Sequence, residues 1–307
     1  MAASAFARHE TFHPRYGWLK KGFDLASSDA TVFLRDDAHV VLGVGKNMVR
    51  SIRYWCHAFK LLDEVATRGD RTSRPSALGR LLLGRRGLDP YLEDLGSLWL
   101  LHWQLLREPC LATAWRYAFF VHARPEISIS SLTAGLLEYV SSHFPTARAN
   151  ESSLRKDAAC VIRMYGELPS HSAVGEESIQ CPFAELGLIR PSAAPKTFAF
   201  RLGQKPGLSS WIVAFACLDY AATVSPGAQT IALSRLLRGT GSPGLGFRLT
   251  ESALYSALEE ATSRVRTLSL SESAGVVQLS FSGSPAKLAL EALDRHFHGG
   301  AGRKAVA

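Results

Sequence analysis

Cysteine is scarce in this sequence: Cys56, Cys110, Cys160, Cys181 and Cys217 are the only five in 307 residues. They are widely spaced and form no C-x-x-C. This argues against a zinc ribbon or an iron–sulfur cluster and suits reduced, buried thiols in a cytoplasmic protein. Long hydrophobic runs are missing too. "LWLLHWQLL" is short and interrupted by polar residues, so no membrane span is expected. Nor does the N-terminus run from a basic region into an apolar core, so no signal peptide is expected. Negative charge is in deficit: 35 Lys and Arg against 27 Asp and Glu leave a net charge of +8 and a pI near 9.4. Such a balance leans toward a polyanionic partner, and where the cations sit decides whether it matters.

What is present is a globular composition, 47% hydrophobic and 20% charged, long enough for one large domain or two to three small ones with a real core. "HETFHPRYGW" at residues 9–18 contains H-E-x-x-H, in which two helical histidines hold zinc and the glutamate activates water. That chemistry requires a helix beneath it. Pro14 pushes His13 out of the α region, the upstream "MAASAFARHE" has neither cap nor apolar period, and no third ligand stands at a plausible distance. Two ordinary histidines on an extended arm is the better reading.

The stretch "LGVGKNMVRSIRYWCHAFKLL", residues 42–62, invites a nucleotide-binding reading and fails it. Val40 takes the place of the first P-loop glycine and Asn47 that of the magnesium-binding hydroxyl. Met48 stands where a dinucleotide fingerprint has its third glycine. A DNA-reading helix fits better. "DDAHVVLGV" predicts a short first helix, and Gly43 and Gly45 a tight turn. Met48, Ile52, Trp55, Phe59 and Leu62 then predict one buried stripe. Lys46, Arg50, Arg53 and His57 repeat two positions away, about 200° around the helix, and so are expected to face solvent. Asn47 falls at the helix start, where recognition helices meet base edges. No acidic residue lies between 46 and 62 to neutralise the face. The arm "RYGWLKKGFD" adds Arg15, Lys20 and Lys21 beside Tyr16 and Trp18, a mixture that suits backbone contacts.

Three segments are expected: an arm with a helix-turn-helix over 1–68, a helical middle over 75–170 and a winged-helix-like segment over 180–298. "ATRGDRTSRPS" and "GELPSHSAVGEESIQCP" read as linkers. In the middle, Asp89 and Pro90 predict a helix start for "LDPYLEDLGSLWLLHWQLL"; a cap and an acidic first turn explain Asp89, Glu93 and Asp94 better than a metal cluster. "SSLTAGLLEYVSSHF" and the Asn150-capped "NESSLRKDAACVIRMYG" predict a helix pair. Toward the end, "TIALSRLLRG", the turn "TGSPGLGF", a Thr250-capped helix and a hairpin around "SESAG" follow the winged-helix order. The tail "HFHGGAGRKAVA" reads as frayed. The expected class is mainly α with small β (α+β), helix-turn-helix and winged-helix modules packed with a central helical segment.

"HETFHPRYGWLKKGF", "LGVGKNMVRSIRYWC", "LDPYLEDLGSLWLLHW" and "SLRKDAACVIRMYG" together resemble a bacterial family of proteins of unknown function whose genes sit in clusters for sulfur modification of the DNA backbone. His13 is not part of that pattern. The resemblance implies a DNA-nicking component of a single-strand phosphorothioation system in the bacterial cytoplasm, at the nucleoid. It implies duplex DNA as target, and a cysteine desulfurase, an ATPase and an ATP-pyrophosphatase-like sulfur-transfer protein as partners. It assigns no cutting residue. Read from the residues, His9 and Glu10 are the candidates for base or metal ligand, with a divalent cation such as magnesium, and Arg15 or Lys20 for charge stabilisation. Asp36 and Asp37 are rival ligands that helix capping also explains. Two other functions compete: a non-catalytic winged-helix adaptor that recruits the sulfur-transfer enzymes, and an RNA-binding protein. A homodimer is expected by analogy.

Overall fold

The computed structural model describes residues 6–66, 69–145, 149–166 and 181–299. The chain is mainly helical with small antiparallel sheets, as its composition suggested. It forms two compact units, one of residues 1–93 and 104–200, the other of 94–103 and 201–307.

The first unit begins with α1 (Trp18–Ser28), α2 (Ala38–Leu42) and α3 (Lys46–Ala58). Gly43 ends α2 at φ 62°, a left-handed turn that favours glycine. β1 (Leu62–Ala66) and β2 (Arg71–Pro75) then pair antiparallel, Leu62 opposite Pro75. Of the "linker" expected over 66–76, Arg71–Pro75 is therefore a strand of a hairpin. Thr72 and Ser73 are buried, and the Ser73 N–H donates to the Ala30 carbonyl at 2.9 Å. After α4 (Ala77–Leu83) the predicted cap at Asp89 closes a turn instead, accepting from the Glu93 N–H. Helix α5 (Leu95–Leu106) starts six residues later than Asp89, with Asp94 accepting from Gly96 N–H. α6 (Thr113–Arg116) runs into a π turn over Tyr117–Val121. β3 (Glu126–Ile127), β4 (Ile189–Pro191) and β5 (Phe198–Phe200) form a small sheet in the order β3-β5-β4. α7 (Ile129–His143) and α8 (Glu151–Tyr165) are the predicted helix pair, and Asn150 caps α8 through the Ser153 N–H.

The segments expected as separate first and middle domains share one core. Trp55 stacks on Phe59 and meets Trp115 edge-on at 5.2 Å, while Phe59 lies flat on Phe183 at 4.9 Å. Each such pair contributes about 0.5–1.5 kcal/mol beyond its buried area. No linker separates surfaces that interlock in this way. Most of residues 166–182, expected as the second linker, lies outside the described residues.

The second unit is built on α9 (Ser210–Val224), buried along nearly its whole length and capped by Ser209. It continues through β6 (Thr230–Ala232), α10 (Leu233–Arg238), α11 (Pro243–Gly246), α12 (Glu251–Thr262), β7 (Leu268–Ser273), β8 (Val276–Phe281) and α13 (Pro285–His298). "TIALSRLLRG" thus opens as a strand. Thr250 caps α12, and the sheet order is β6-β8-β7. The residues expected to fray are helical as far as His298; those from 300 onward lie outside the described residues. Among the described residues no helix is long and apolar enough to cross a membrane.

Candidate nucleic-acid interface

The H-E-x-x-H stretch is a series of turns, with Glu10 at φ 51° and Thr11 at φ 69°, rather than a helix or an extended arm. His9 is 1% exposed and sits among Tyr54, Trp55 and Trp115. Its Nε2–H donates to Asp157 Oδ1 at 2.6 Å, and the same oxygen accepts from the Ala7 N–H. Burial opposes a charge on His9, but the neighbouring Cys160 sulfur and the Asp157 carboxylate outweigh it and raise its pKa to about 10. His9 is therefore a pin that holds the arm to α8, and not a base open to substrate. His13 instead places Nδ1 near the Pro14 carbonyl, so the two imidazoles do not converge. Burial, with Arg163 and Arg15 nearby, lowers the pKa of His13.

Glu10 is carried to a different place. Its carboxylate lies 3.8 Å from the Arg50 guanidinium on the exposed side of α3. Lys46, Asn47 and Arg50 are all exposed there, and Arg50 reaches Asn47 Oδ1 at 3.5 Å. Gly45 precedes the helix without a side-chain cap, which leaves the first-turn N–H groups as free donors. The Arg15 guanidinium lies over the rings of Phe12 and Trp18, at 5.5 and 5.2 Å. It also lines an open depression shared with Trp18, Gly43, Val44, Gly45 and Met48. Met48, expected in the core stripe, is half-buried at this rim; Ile52, Trp55, Phe59 and Leu62 are buried as expected.

The cationic stripe stops halfway along α3. Arg53 donates to the Arg71 carbonyl and pairs with Glu64 at 3.2 Å. His57 is half-buried, its Nδ1–H donating to the Leu62 carbonyl and its Nε2 accepting from the Ser73 hydroxyl. Burial, followed by Arg53, lowers its pKa. The expectation that His57 faces solvent is corrected: the hairpin packs over this end of the helix. The acidic partners missing between 46 and 62 come from Glu10 and Glu64 across the fold, which local sequence does not reveal.

In the arm, Lys20 pairs with Asp24 at 2.6 Å and lies over the Tyr91 ring, while Lys21 donates to the Leu42 carbonyl at the end of α2. Both keep some exposure with their hydrogen-bonding partly committed. Trp18 packs beneath the arm; Tyr16 is exposed and bonds Glu185. Asp37 is bridged in a fork by Arg35, whose hydrogen bond lowers its pKa, so it neither caps α2 nor stands free as a ligand. Among the described residues no three His, Cys, Asp or Glu side chains gather to hold a metal ion. His9, Glu10 and Asp37 are each engaged in a different place, with Asp157, Arg50 and Arg35.

The corresponding place in the second unit has the opposite sign. α12 exposes Glu251, Glu259 and Glu260 beside Tyr255. Its nearest cations are already engaged: Arg264 with Glu260 at 2.7 Å and Arg238 with Glu251 at 3.9 Å.

These features define a mainly helical protein in which the start of α3 is cationic and exposed and α12 is acidic and exposed. The family described as "Protein of unknown function (DUF4007)" matches residues 6–297, and the chain belongs to it. Two solved structures are similar over 96% of this chain and 88% of theirs, each with a TM-score of 0.90. One is a magnesium-bound crystal structure of SspB, 40% identical, and the other a crystal structure of SspB, 39% identical. No curated protein matches the chain.

Proposed function

We propose that this protein is a DNA-binding component of a bacterial DNA phosphorothioation system, working in the cytoplasm at the nucleoid. The observation that carries the reading is the uncapped, exposed start of α3, where Lys46, Asn47 and Arg50 are joined by Arg15. Free N–H donors, a positive helix end and arginine forks suit phosphate oxygens, and Asn47 is placed for a base edge. Likeness to SspB supports the system and, through it, partner proteins: a cysteine desulfurase, an ATPase and an ATP-pyrophosphatase-like sulfur-transfer protein. In this reading both α1–β2 and α9–β8 are winged-helix modules, and α3 rather than α12 meets the duplex. Three glutamates on α12 would repel phosphates.

A strand-cutting role has one observation in its favour. Glu10 is a carboxylate beside the proposed contact surface, held near Arg50, so a base and a charge-stabilising cation stand together. Plasmid relaxation with and without magnesium, using wild type and Glu10→Gln, tests it. Magnesium-dependent nicking lost in the variant supports cutting; binding without nicking leaves the adaptor. For the binding reading itself, Lys46→Glu/Arg50→Glu must weaken duplex binding with thermal stability unchanged. Undiminished binding by that variant, or preference for RNA hairpins over duplex DNA in competition, overturns it.

A further inference from the structure

The stretch from Arg71 to Leu88 contains five arginines and no acidic residue, a density of cations that α3 does not match. Arg71 is committed to Glu64 at 2.9 Å. Arg74, Arg80, Arg85 and Arg86 are exposed, and among the described residues no carboxylate lies within ion-pair distance of any of them. The fold gathers them. Arg80 folds back to donate to the Pro75 carbonyl, next to Arg74 on β2. Helix α4 is seven residues long, about 10 Å at 1.5 Å per residue. It ends at Gly84, where a turn closes from the Gly87 N–H to the Gly84 carbonyl at 2.8 Å, and the Leu88 N–H donates back to Leu81. Arg85 and Arg86 occupy the two central positions of that turn. Both are exposed to solvent.

The hairpin that carries Arg74 packs against α3. The β1–β2 hairpin is fastened to α3 by Arg53 to the Arg71 carbonyl and His57 to Ser73. All four free cations are arginines, whose planar fork matches phosphate oxygens two at a time. Asp63 stands opposite Arg74 in the hairpin register.

We propose that Arg74, Arg80, Arg85 and Arg86 form a clamp on the phosphate backbone of duplex nucleic acid, flanking the α3 contact and reading no sequence. This rests on the reading of α3 as the duplex-facing helix and adds a second, sequence-independent surface to it.

The full-length protein is titrated with a fluorescent duplex from about 50 to 200 mM salt, as wild type, as Arg85→Glu/Arg86→Glu and as Arg74→Gln/Arg80→Gln/Arg85→Gln/Arg86→Gln. Loss of four phosphate contacts lowers the slope of log affinity against log salt by about 3.6. The expected result is that drop, with affinity at 50 mM salt reduced at least tenfold (on the order of that slope's effect) and equally for unrelated duplex sequences. The neutral glutamine variant guards against misfolding by charge reversal, and melting temperature is read for both. An unchanged slope in folded variants overturns the clamp. So does loss of binding to anionic phosphatidylserine vesicles with duplex binding intact, which assigns the patch to lipid. If wild type binds no duplex, the α3 reading fails as a whole; if only Lys46→Glu/Arg50→Glu weakens binding, the clamp alone fails.

Discussion

Residues 18–75 and residues 210–281 pass through similar orders of elements: a long helix, a 3-10 turn (Val32–Leu34) in the first or a strand in the second, one short helix in the first or two in the second, a longer helix and a hairpin. In the first, the Ala30 carbonyl in the turn before that 3-10 helix accepts from Ser73 in the hairpin; in the second the strand, β6, is paired to β8. The last helix of the first set presents Lys46 and Arg50 at its start, that of the second Glu251, Glu259 and Glu260 along its length. The lesson is that buried positions set the order of elements, while a few exposed residues set what each copy of that order attracts. The buried histidines differ in the same spirit. His9, beside Asp157, has a pKa raised to about 10 against the penalty of burial, and His102, buried with the Gly246 carbonyl 2.9 Å from its Nε2, is lowered by burial to about 4.

The comparison breaks first on charge. Lys46→Glu/Arg50→Glu is expected to lower duplex affinity by about 100-fold, because two phosphate contacts become repulsions. Glu259→Lys/Glu260→Lys in the second unit is expected to leave affinity within about twofold or raise it. Fluorescence anisotropy at fixed salt measures both, and equal losses from the two helices would erase the distinction.

Next in size is the pin between the arm and α8. Asp157→Ala leaves the buried His9 without its counter-charge and is expected to cost about 3–5 kcal/mol in urea unfolding. Removing Asp219, which accepts from the Trp103 indole N–H at 2.8 Å in the second unit, is expected to cost about 1–3 kcal/mol.

The two histidines also predict opposite pH limbs. His9 holds its proton more tightly folded than unfolded, so its contribution is complete below about pH 6.5 and is lost as pH rises toward 10. His102 takes up a proton only on unfolding until pH nears 4, so its contribution is complete above about 6.5 and is lost as pH falls. Urea midpoints across this range should show His9→Phe flattening the alkaline limb and His102→Gln the acid limb. A single limb insensitive to both variants contradicts the assignments. The smallest effect is at the surface: Glu260→Gln removes an exposed pair with Arg264 one helical turn on, worth about 0.3–0.5 kcal/mol.

Much of the candidate site was readable from local pattern. The turn at Gly43, the helix through Ile52 and Trp55, and the exposure of Lys46, Asn47 and Arg50 follow from spacing alone. The caps at Asn150 and Thr250 and the hairpin at 268–281 do as well. The hairpin at 62–75 was missed because its strands are short and polar, "LDEVA" and "RTSRP". Such strands are held by α3 and by Ala30 rather than by alternation of their own. The start of α5 was misplaced because two acidic residues five apart, Asp89 and Asp94, both look like caps, and only the backbone path selects the second.

By itself the sequence determined most of the longer helices, the caps at Asn150 and Thr250 and the sign of the charge at the start of α3, because these depend on neighbours within a turn or two. Tertiary structure decided which cations remain available: it brought Glu64 to Arg53, Ser73 to His57 and Glu10 to Arg50. It also buried His9 against a carboxylate 148 positions away. Pairing between charges is settled by distance in space, and no spacing along the chain encodes that distance.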